Sequence, residues 1–234
     1  MKDSLLQRLK QRFYPEPGPR NPFELYYEEA ARTFNPILDF GAGRNSGGTR
    51  VAPRSAQVVG IDPDRQIKQN TLVDARILSD GKGLPFRDGQ FGLCVMRWVV
   101  EHLTDPEATF REVARVLRSG GRVIILTSNL HFYGYMIAKL VPNRTHGRLV
   151  KLLYGRAEGD TFPTRYRANT PGRLSRTLQK AGFRQRQLTG FQRGPGYLGF
   201  SAPTFLLGAA YDYIVNLSPK LQWLRQGLIA EFEK

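Results

Sequence analysis

The feature that most constrains this 234-residue chain is a rhythm of short apolar runs separated by segments of helical periodicity. Ile37–Phe40 is one run and ends in glycines; Gln57–Ile61 is the next and ends at Asp62. Arg76–Ser79 is a weaker third, Phe91–Met96 a fourth and Arg122–Thr127 a fifth. Between the last two, Thr104-Asp105-Pro106 starts a helix with Phe110, Val113, Ala114 and Leu117 on one face, and Gly120-Gly121 stops it. Strands alternating with helices predict an α/β fold, a doubly wound, mostly parallel sheet with helices on both faces. Ligands of such sheets bind beyond the carboxyl ends of the strands. The positions to watch are therefore Asp39–Arg44, Asp62, Asp80, Met96–Trp98 and Thr127–Asn129.

The flanks are organised differently. Leu5, Leu6, Leu9 and Phe13 fall at helical spacing among Lys2, Arg8, Lys10 and Arg12, which predicts a short basic amphipathic helix. The proline-rich stretch from Pro15 to Pro19 ends it, and Asn21-Pro22 caps a second helix carrying Phe23, Tyr26, Tyr27 and Ala30. Residues 130–168 read as two short helices and a loop, Thr170–Ala181 as a helix, and Phe183–Phe191 as a strand. Residues 194–211 carry no charge, but are too short and too broken by Gly and Pro for a membrane span, which needs about twenty apolar residues. Pro219–Glu231 reads as a helix with Leu221, Leu224, Leu228 and Phe232 on one side. The expected organisation is an N-terminal helical lid over 1–35, a core over 36–193 with a helical insertion at about 130–168, and an apolar, helical extension over 194–234.

At 41% hydrophobic residues the chain can bury a sizeable core. One cysteine, Cys94, excludes an internal disulfide, and with only three histidines no metal site is expected. The first twenty residues lack the apolar stretch of a signal peptide, so a cytoplasmic protein is expected. The net charge of +15 is unevenly spread: residues 1–120 hold 18 Lys/Arg against 15 Asp/Glu, residues 121–234 hold 17 against 5. A near-neutral first half is joined to a basic second half, which is where an anionic partner would be met.

The chemistry lies in Ile37-Leu-Asp-Phe-Gly-Ala-Gly43. Gly41 and Gly43 permit a tight turn and close approach of backbone to ligand. Asp62, 19 residues past Gly43 at the end of the next strand, is placed to accept hydrogen bonds from ribose hydroxyls. A dinucleotide site requires a third glycine where Ser46 stands. Asp39 also argues against a pyrophosphate, which it would repel, and for a ligand bearing a cation. S-adenosylmethionine, with its ammonium, sulfonium and ribose, satisfies both conditions.

The chain resembles the class I S-adenosylmethionine-dependent methyltransferases of small-molecule type, similar to the quinone methyltransferases. Five segments in order carry the likeness: Ile37–Gly43, Val58–Asp62, Leu84-Pro-Phe to Phe91, Val99-Val-Glu-His-Leu103 with Asp105-Pro106, and Val113–Gly121. The resemblance implies a Rossmann-like, seven-stranded sheet with a C-terminal cap, and S-adenosyl-L-methionine as cofactor. It implies that Asp39, Gly41, Ala42 and Gly43 hold the methionine part and that Asp62, followed by Pro63, holds the ribose. It further implies that Asp80 and Gly81 stand at the adenine, and that Arg97 lines the pocket. The chain departs from the family where Arg44-Asn45 replaces a usual Thr-Gly and where Gly92 replaces an acid.

Displacement at a sulfonium needs an in-line nucleophile and exclusion of water, with a base only if the acceptor must lose a proton. His102, His131 and Tyr133 are the candidates for that proton, and Asp160, Arg165, Tyr166 and Arg167 for contacts to the acceptor. The expected acceptor is a small or lipid-linked, anionic molecule, methylated at oxygen or carbon. Arginines between 144 and 193 would hold its charge, and the apolar and basic flanks would rest peripherally on the inner face of a membrane. RNA is the rival acceptor. Against it, the Asn/Asp-Pro-Pro-Tyr signature of base-amine methylation is absent, with Met96-Arg97-Trp98 in its place, and Cys94 lies inside a strand. An inactive cofactor-binding scaffold is the non-enzymatic alternative.

Overall fold

The computed structural model describes residues 2–15, 20–44, 50–135, 163–192, 194–195 and 198–234. In chain order the elements are α1 (Lys2–Phe13), α2 (Pro22–Ala31), β1 (Ile37–Phe40), β2 (Val58–Asp62), β3 (Ala75–Leu78), β4 (Phe91–Arg97), α3 (Pro106–Val116), β5 (Leu117–Ser128), α4 (Pro171–Lys180), β6 (Arg184–Phe191), α5 (Ala202–Asn216) and β7 (Gly227–Glu233). Short 3₁₀ turns cover Arg65–Gln69, Val100–His102 and Pro219–Leu224.

The seven strands form one open sheet of order β3-β2-β1-β4-β5-β7-β6. β3, β2, β1, β4 and β5 run parallel, with Ile37 opposite both Val58 and Leu93, and Phe40 opposite Ile61 and Met96. Ile37, Leu38, Leu93, Cys94, Met96 and Val123–Leu126 are fully buried, as expected of parallel strands covered on both faces. The strand order reverses between β1 and β4, so the carboxyl ends of these two strands flank a crevice.

The predicted helix starts hold. Asn21 Oδ1 accepts from the Phe23 N–H at 3.0 Å, Asp105 Oδ1 from Ala108 at 2.9 Å and Thr170 Oγ1 from Arg173 at 3.3 Å, each with proline next in sequence. α2 packs on β4 and β5 and buries Phe23, Tyr27, Ala30 and Ala31; α3 packs on α4 and β5.

Three elements differ from the sequence expectation. α3 ends at Val116 and the chain passes directly into β5 at Leu117, so Gly120-Gly121 lies inside a strand, beside a register shift between Phe91 and Leu93. The uncharged stretch after 194 continues into a helix, α5, whose N-terminus is a capping box between Ser201 and Thr204. Its Gly208 is a packing requirement, since a Cβ there would lie 2.6 Å from Pro195 Cβ. Finally, Pro219–Glu231 is a 3₁₀ turn followed by strand β7, not a helix. Leu221, Leu224 and Leu228 match a helical spacing, but Leu228, Ile229, Ala230 and Phe232 are all buried, because β7 sits between β5 and β6. A strand buried on both faces reads as a continuous apolar run, which periodicity does not separate from a helix. Of the segment expected as two helices over 130–168, residues 136–162 lie outside the described residues.

The chain divides into two compact units. One comprises Arg20–Ser128, Thr164–Leu188 and Leu228–Lys234 and holds nearly all of the sheet with α2, α3 and α4. The other comprises Met1–Pro19, Asn129–Pro163 and Thr189–Gly227 and holds α1 and α5. In this second unit the Tyr14 hydroxyl donates to Asp212 Oδ2 at 2.6 Å, and Phe13 and Tyr14 meet the Phe205 ring edge-on.

Phe232 distinguishes the observed strand from the expected surface helix. Phe232→Ala should lower unfolding stability by about 3–5 kcal/mol in a denaturant titration, the cost of a large cavity in a buried strand. A loss below about 1 kcal/mol would fit an exposed helix instead.

Candidate functional site

Where β1 ends, the chain turns back on itself through Gly41, Ala42 and Gly43. Gly41 and Gly43 have φ of 76° and 53°, in the left-handed region open to glycine. A Cβ on Gly41 would stand 2.3 Å from Val99 Cγ2, so this position also requires the absence of a side chain. Gly60 on β2 serves the same turn, since its missing Cβ would lie 2.9 Å from the Ala42 methyl.

Two polar side chains tie the turn down. Asp62 Oδ2 accepts from the Gly43 N–H at 2.9 Å and Oδ1 from the Asp64 N–H at 2.8 Å. Asn70 donates its amide to the carbonyls of Ala42 and Gly43 at 2.9 and 3.1 Å, while its own oxygen accepts from Leu72 at 2.8 Å. Asp62 is buried, which raises its carboxyl above the ordinary range, opposed by the two backbone donors. Each Asp62 oxygen retains an acceptor position beyond these bonds.

Beside the turn opens a cleft of about 270 Å³. Asp39, Gly41, Ala42, Gly43 and Arg97 line it, together with Phe23, Tyr27, Arg50, Asn70 and Trp98. Asp39 faces it half-buried from β1. Burial pushes its carboxyl up to about 6, with the nearby Asp62 charge adding to the rise and Arg97 opposing it. The Arg97 guanidinium lies over the Phe23 ring at 5.2 Å from its centroid. Trp98, next in the chain, is held at φ 57°, a conformation rare for a bulky residue, while its N–H donates to Leu126 at 2.7 Å. Burial pushes the Tyr27 phenol up, and Asp39 adds to the effect.

The remaining sequence candidates are distributed as follows. Pro63 is exposed and follows Asp62 directly. Asp80 is exposed and accepts from the Lys82 N–H at 3.1 Å; Gly81, at φ 77°, comes so close to Phe40 that a Cβ would lie 2.4 Å from its Cζ. His102 ends the 3₁₀ turn after β4. Its neighbour Glu101 is buried, taking hydroxyl donors from Thr127 and Ser128 at 2.8 and 3.1 Å. The Glu101 carbonyl accepts the N–H groups of Arg165 and Tyr166 at 2.6 and 3.1 Å, and Asn169 donates to Thr127 Oγ1 at 2.7 Å. This network fixes the segment holding Arg165, Tyr166 and Arg167, in which the two arginines are exposed. His131 is exposed, and Tyr133 donates its hydroxyl to Pro195 O at 2.9 Å while packing on Phe132 and Tyr211; both belong to the second unit. Asp160 lies outside the described residues. Cys94 is buried within β4, and its thiol is pushed well up by that burial.

Sequence reasoning missed Asn70 and Arg50, whereas Trp98 was among the strand-end positions it named and does line the cleft. Asn70 acts through backbone carbonyls and sits in no patterned run. Arg50 forms a fork with Asp74 and reaches the carbonyls of Ala56 and Leu72, contacts distant in sequence. Tyr27 and Phe23 were visible as one face of α2, but nothing local distinguished cleft lining from core.

Comparison with known proteins agrees with this geometry. Residues 38–125 match the model of a methyltransferase domain. An uncharacterized methyltransferase of Mycobacterium sp. (strain JLS) is 32% identical over 93 residues, covering 38% of this chain and 37% of that protein. The ubiquinone biosynthesis O-methyltransferase of Pseudomonas aeruginosa is 27% identical over 145 residues, covering 54% and 62%. The matches thus span less than two thirds of these relatives. Among solved structures, a geranyl diphosphate methyltransferase in complex with GPP and sinefungin aligns at TM-score 0.57 with 14% identity, over 90% of this chain and 76% of that one. A possible histamine N-methyltransferase from Thermotoga maritima aligns at 0.56 with 14% identity, over 97% and 92%. A 4+2-cyclase shares the fold equally well, at 0.56 and 16% identity over 98% and 92%, so fold alone does not fix the reaction. Taken with the Gly41–Gly43 turn and the five ordered segments, these matches make residues 38–125 similar to a methyltransferase domain, and the chain similar to the class I S-adenosylmethionine-dependent methyltransferases and to the ubiquinone O-methyltransferases.

Proposed function

We propose that this protein transfers the methyl group of S-adenosylmethionine to the oxygen or carbon of a small, anionic, lipid-like acceptor. The observation that carries the cofactor is Asp39: a carboxylate whose charge is made costly by burial, facing a cleft also lined by Arg97, by Arg44 and by Arg50, the last paired with Asp74. A zwitterionic amino-acid end fits Asp39 and Arg97, its ammonium to the first and its carboxylate to the second. The Gly41–Gly43 turn supplies backbone where a Cβ would obstruct approach, and Asp62, buried and bonded to Gly43 but not itself lining the cleft, is our assignment for the ribose hydroxyls.

When bound, S-adenosylmethionine would supply a methyl carbon already activated by its sulfonium, with the neutral thioether as leaving group. The chain itself contributes binding, orientation and exclusion of water. Tyr27, Phe23 and Trp98 line the cleft with aromatic surface, and Arg97 is steadied by its contact with Phe23. No side-chain nucleophile is needed. His102, in the same unit as the cleft, is our assignment for taking the acceptor's proton. Support for the acceptor class comes from the basic second half of the chain, with 17 Lys/Arg against 5 Asp/Glu, and from relatives whose names specify ubiquinone biosynthesis and geranyl diphosphate.

The test is transfer of labelled methyl from S-adenosylmethionine into small acidic metabolites and organic-extractable lipids. Labelled product is expected from the wild type, and much less from Asp62→Ala when S-adenosylmethionine is limiting. Absence of product with intact cofactor binding would point to a scaffold, and label in RNA would refute the acceptor class. Asp62→Ala should also weaken S-adenosylhomocysteine binding by about 1.5–3 kcal/mol, through loss of charge-assisted contacts and of the bond that fixes Gly43. Unchanged affinity would overturn the assignment.

Asp39 predicts a trade between stability and binding. Its carboxyl titrates at about 6 in the fold against 3.8 ordinarily, so the folded state favours the protonated form and loses stability as pH rises through 6. Asp39→Asn should therefore stabilise the ligand-free protein at pH 7.5 by about 1–3 kcal/mol, a gain that vanishes near pH 4. The same substitution should weaken cofactor binding. Wild-type affinity for S-adenosylhomocysteine should fall by up to about tenfold per pH unit below 6, and the Asn variant should lack that dependence. Destabilisation by Asp39→Asn at pH 7.5, read from chemical denaturation, would contradict the argument.

A further inference from the structure

Helix α5 is apolar on both of its faces. Phe205, Gly208, Ala209 and Val215 are buried. The outer positions Leu206, Leu207, Ala210, Tyr213, Ile214 and Leu217 recur at helical spacing and are all exposed. Leu207 is 66% exposed, Tyr213 69% and Leu217 61%, so this stripe is open surface rather than the margin of a core. The one charged residue of α5, Asp212, is turned inward to the Tyr14 hydroxyl, so the outer stripe carries no charge. A helix on an ordinary protein surface presents charged residues there. A contiguous exposed apolar stripe is the mark of an interaction site.

The adjoining helix supplies the complementary chemistry. α1 packs on α5 within the same compact unit, Phe13 and Tyr14 meeting the Phe205 ring. It carries Lys2, Arg8, Lys10 and Arg12 against Asp3 alone. Arg8, Lys10 and Arg12 are exposed, and so are Leu5 and Phe13. Exposed cations on a helix packed behind an uncharged apolar stripe match anionic headgroups lying over hydrocarbon. A second copy of the chain matches less well, because a two-fold interface through this unit would bring two basic α1 helices together. Among the described residues no helix is long and apolar enough to cross a membrane.

We propose that α5 and α1 form a docking surface for an anionic phospholipid bilayer. The outer stripe of α5 enters the boundary between headgroups and acyl chains, and the α1 cations hold the headgroups. This surface does not depend on the cofactor cleft, and its failure would leave the methyl-transfer reading intact.

The test is flotation of the full chain with vesicles of equimolar phosphatidylglycerol and phosphatidylcholine, against vesicles of phosphatidylcholine alone. Partitioning should be at least about tenfold stronger on the anionic vesicles and should weaken as salt is raised. The double variant Leu207→Ser/Ile214→Ser should lose about tenfold or more of that binding, and so should Lys10→Glu/Arg12→Glu. Both pairs are exposed, so circular dichroism and S-adenosylhomocysteine binding should be unchanged. Three results would overturn the proposal: no partitioning of the wild type on anionic vesicles, partitioning unaffected by the serine pair, or a dimer that the serine pair dissociates while vesicle binding is absent.

Discussion

The Gly41–Gly43 turn can occupy the end of β1 because it is tied from two sides. Asp62 takes its N–H from β2, and Asn70 takes its carbonyls from the segment that follows. Without these bonds a turn holding two positive-φ glycines would sample many conformations, since glycine loses more freedom on ordering than any other residue. The cleft depends on this rigidity. The turn, the end of β4 and Asp39 of β1 all line it.

The site is built at some cost to stability. A half-buried carboxylate with a raised pKa, a tryptophan at positive φ and glycines at close-packed positions are all locally unfavourable. They cluster within one crevice, at the point where strand order reverses. The rest of the sheet offsets them with a dry core around β1, β4 and β5 and capped helices whose starts obey ordinary chemistry. Concentration of strain at one place, with consistency elsewhere, is the pattern of a site kept for function.

What the sequence disclosed follows the same division. Gly41, Gly43 and Asp62 were legible because their roles need particular residue types at particular strand ends. Asp39 was singled out by its sign, and it lines the cleft. Asn70 was not, because its contribution is to backbone carbonyls, which leave no pattern in the chain. The place of Trp98 at a strand end was legible, but not its positive φ, because that backbone angle is set by tertiary context. β7 was misread because Leu221, Leu224 and Leu228 imitate a helical face, whereas pairing with β5 decides the conformation: Gly120 donates to Lys234 and Lys234 to Gly121, both at 2.9 Å. α5 lay within the expected apolar, helical extension, but its bounds were not legible, for the opposite reason. Its outer face lacks the polar residues that make a surface helix recognisable, and that same lack makes it noteworthy as a surface.

The central claim is that the Asp39 cleft is shaped for a cation-bearing nucleoside and not for a dinucleotide. Calorimetric titration of the purified chain at pH 7.5 with S-adenosylhomocysteine, and in parallel with NAD, tests it most directly. Saturable binding of S-adenosylhomocysteine with a stoichiometry near one, and no heat from NAD, is the predicted result. Binding of NAD in preference, or no binding of either, would contradict the account.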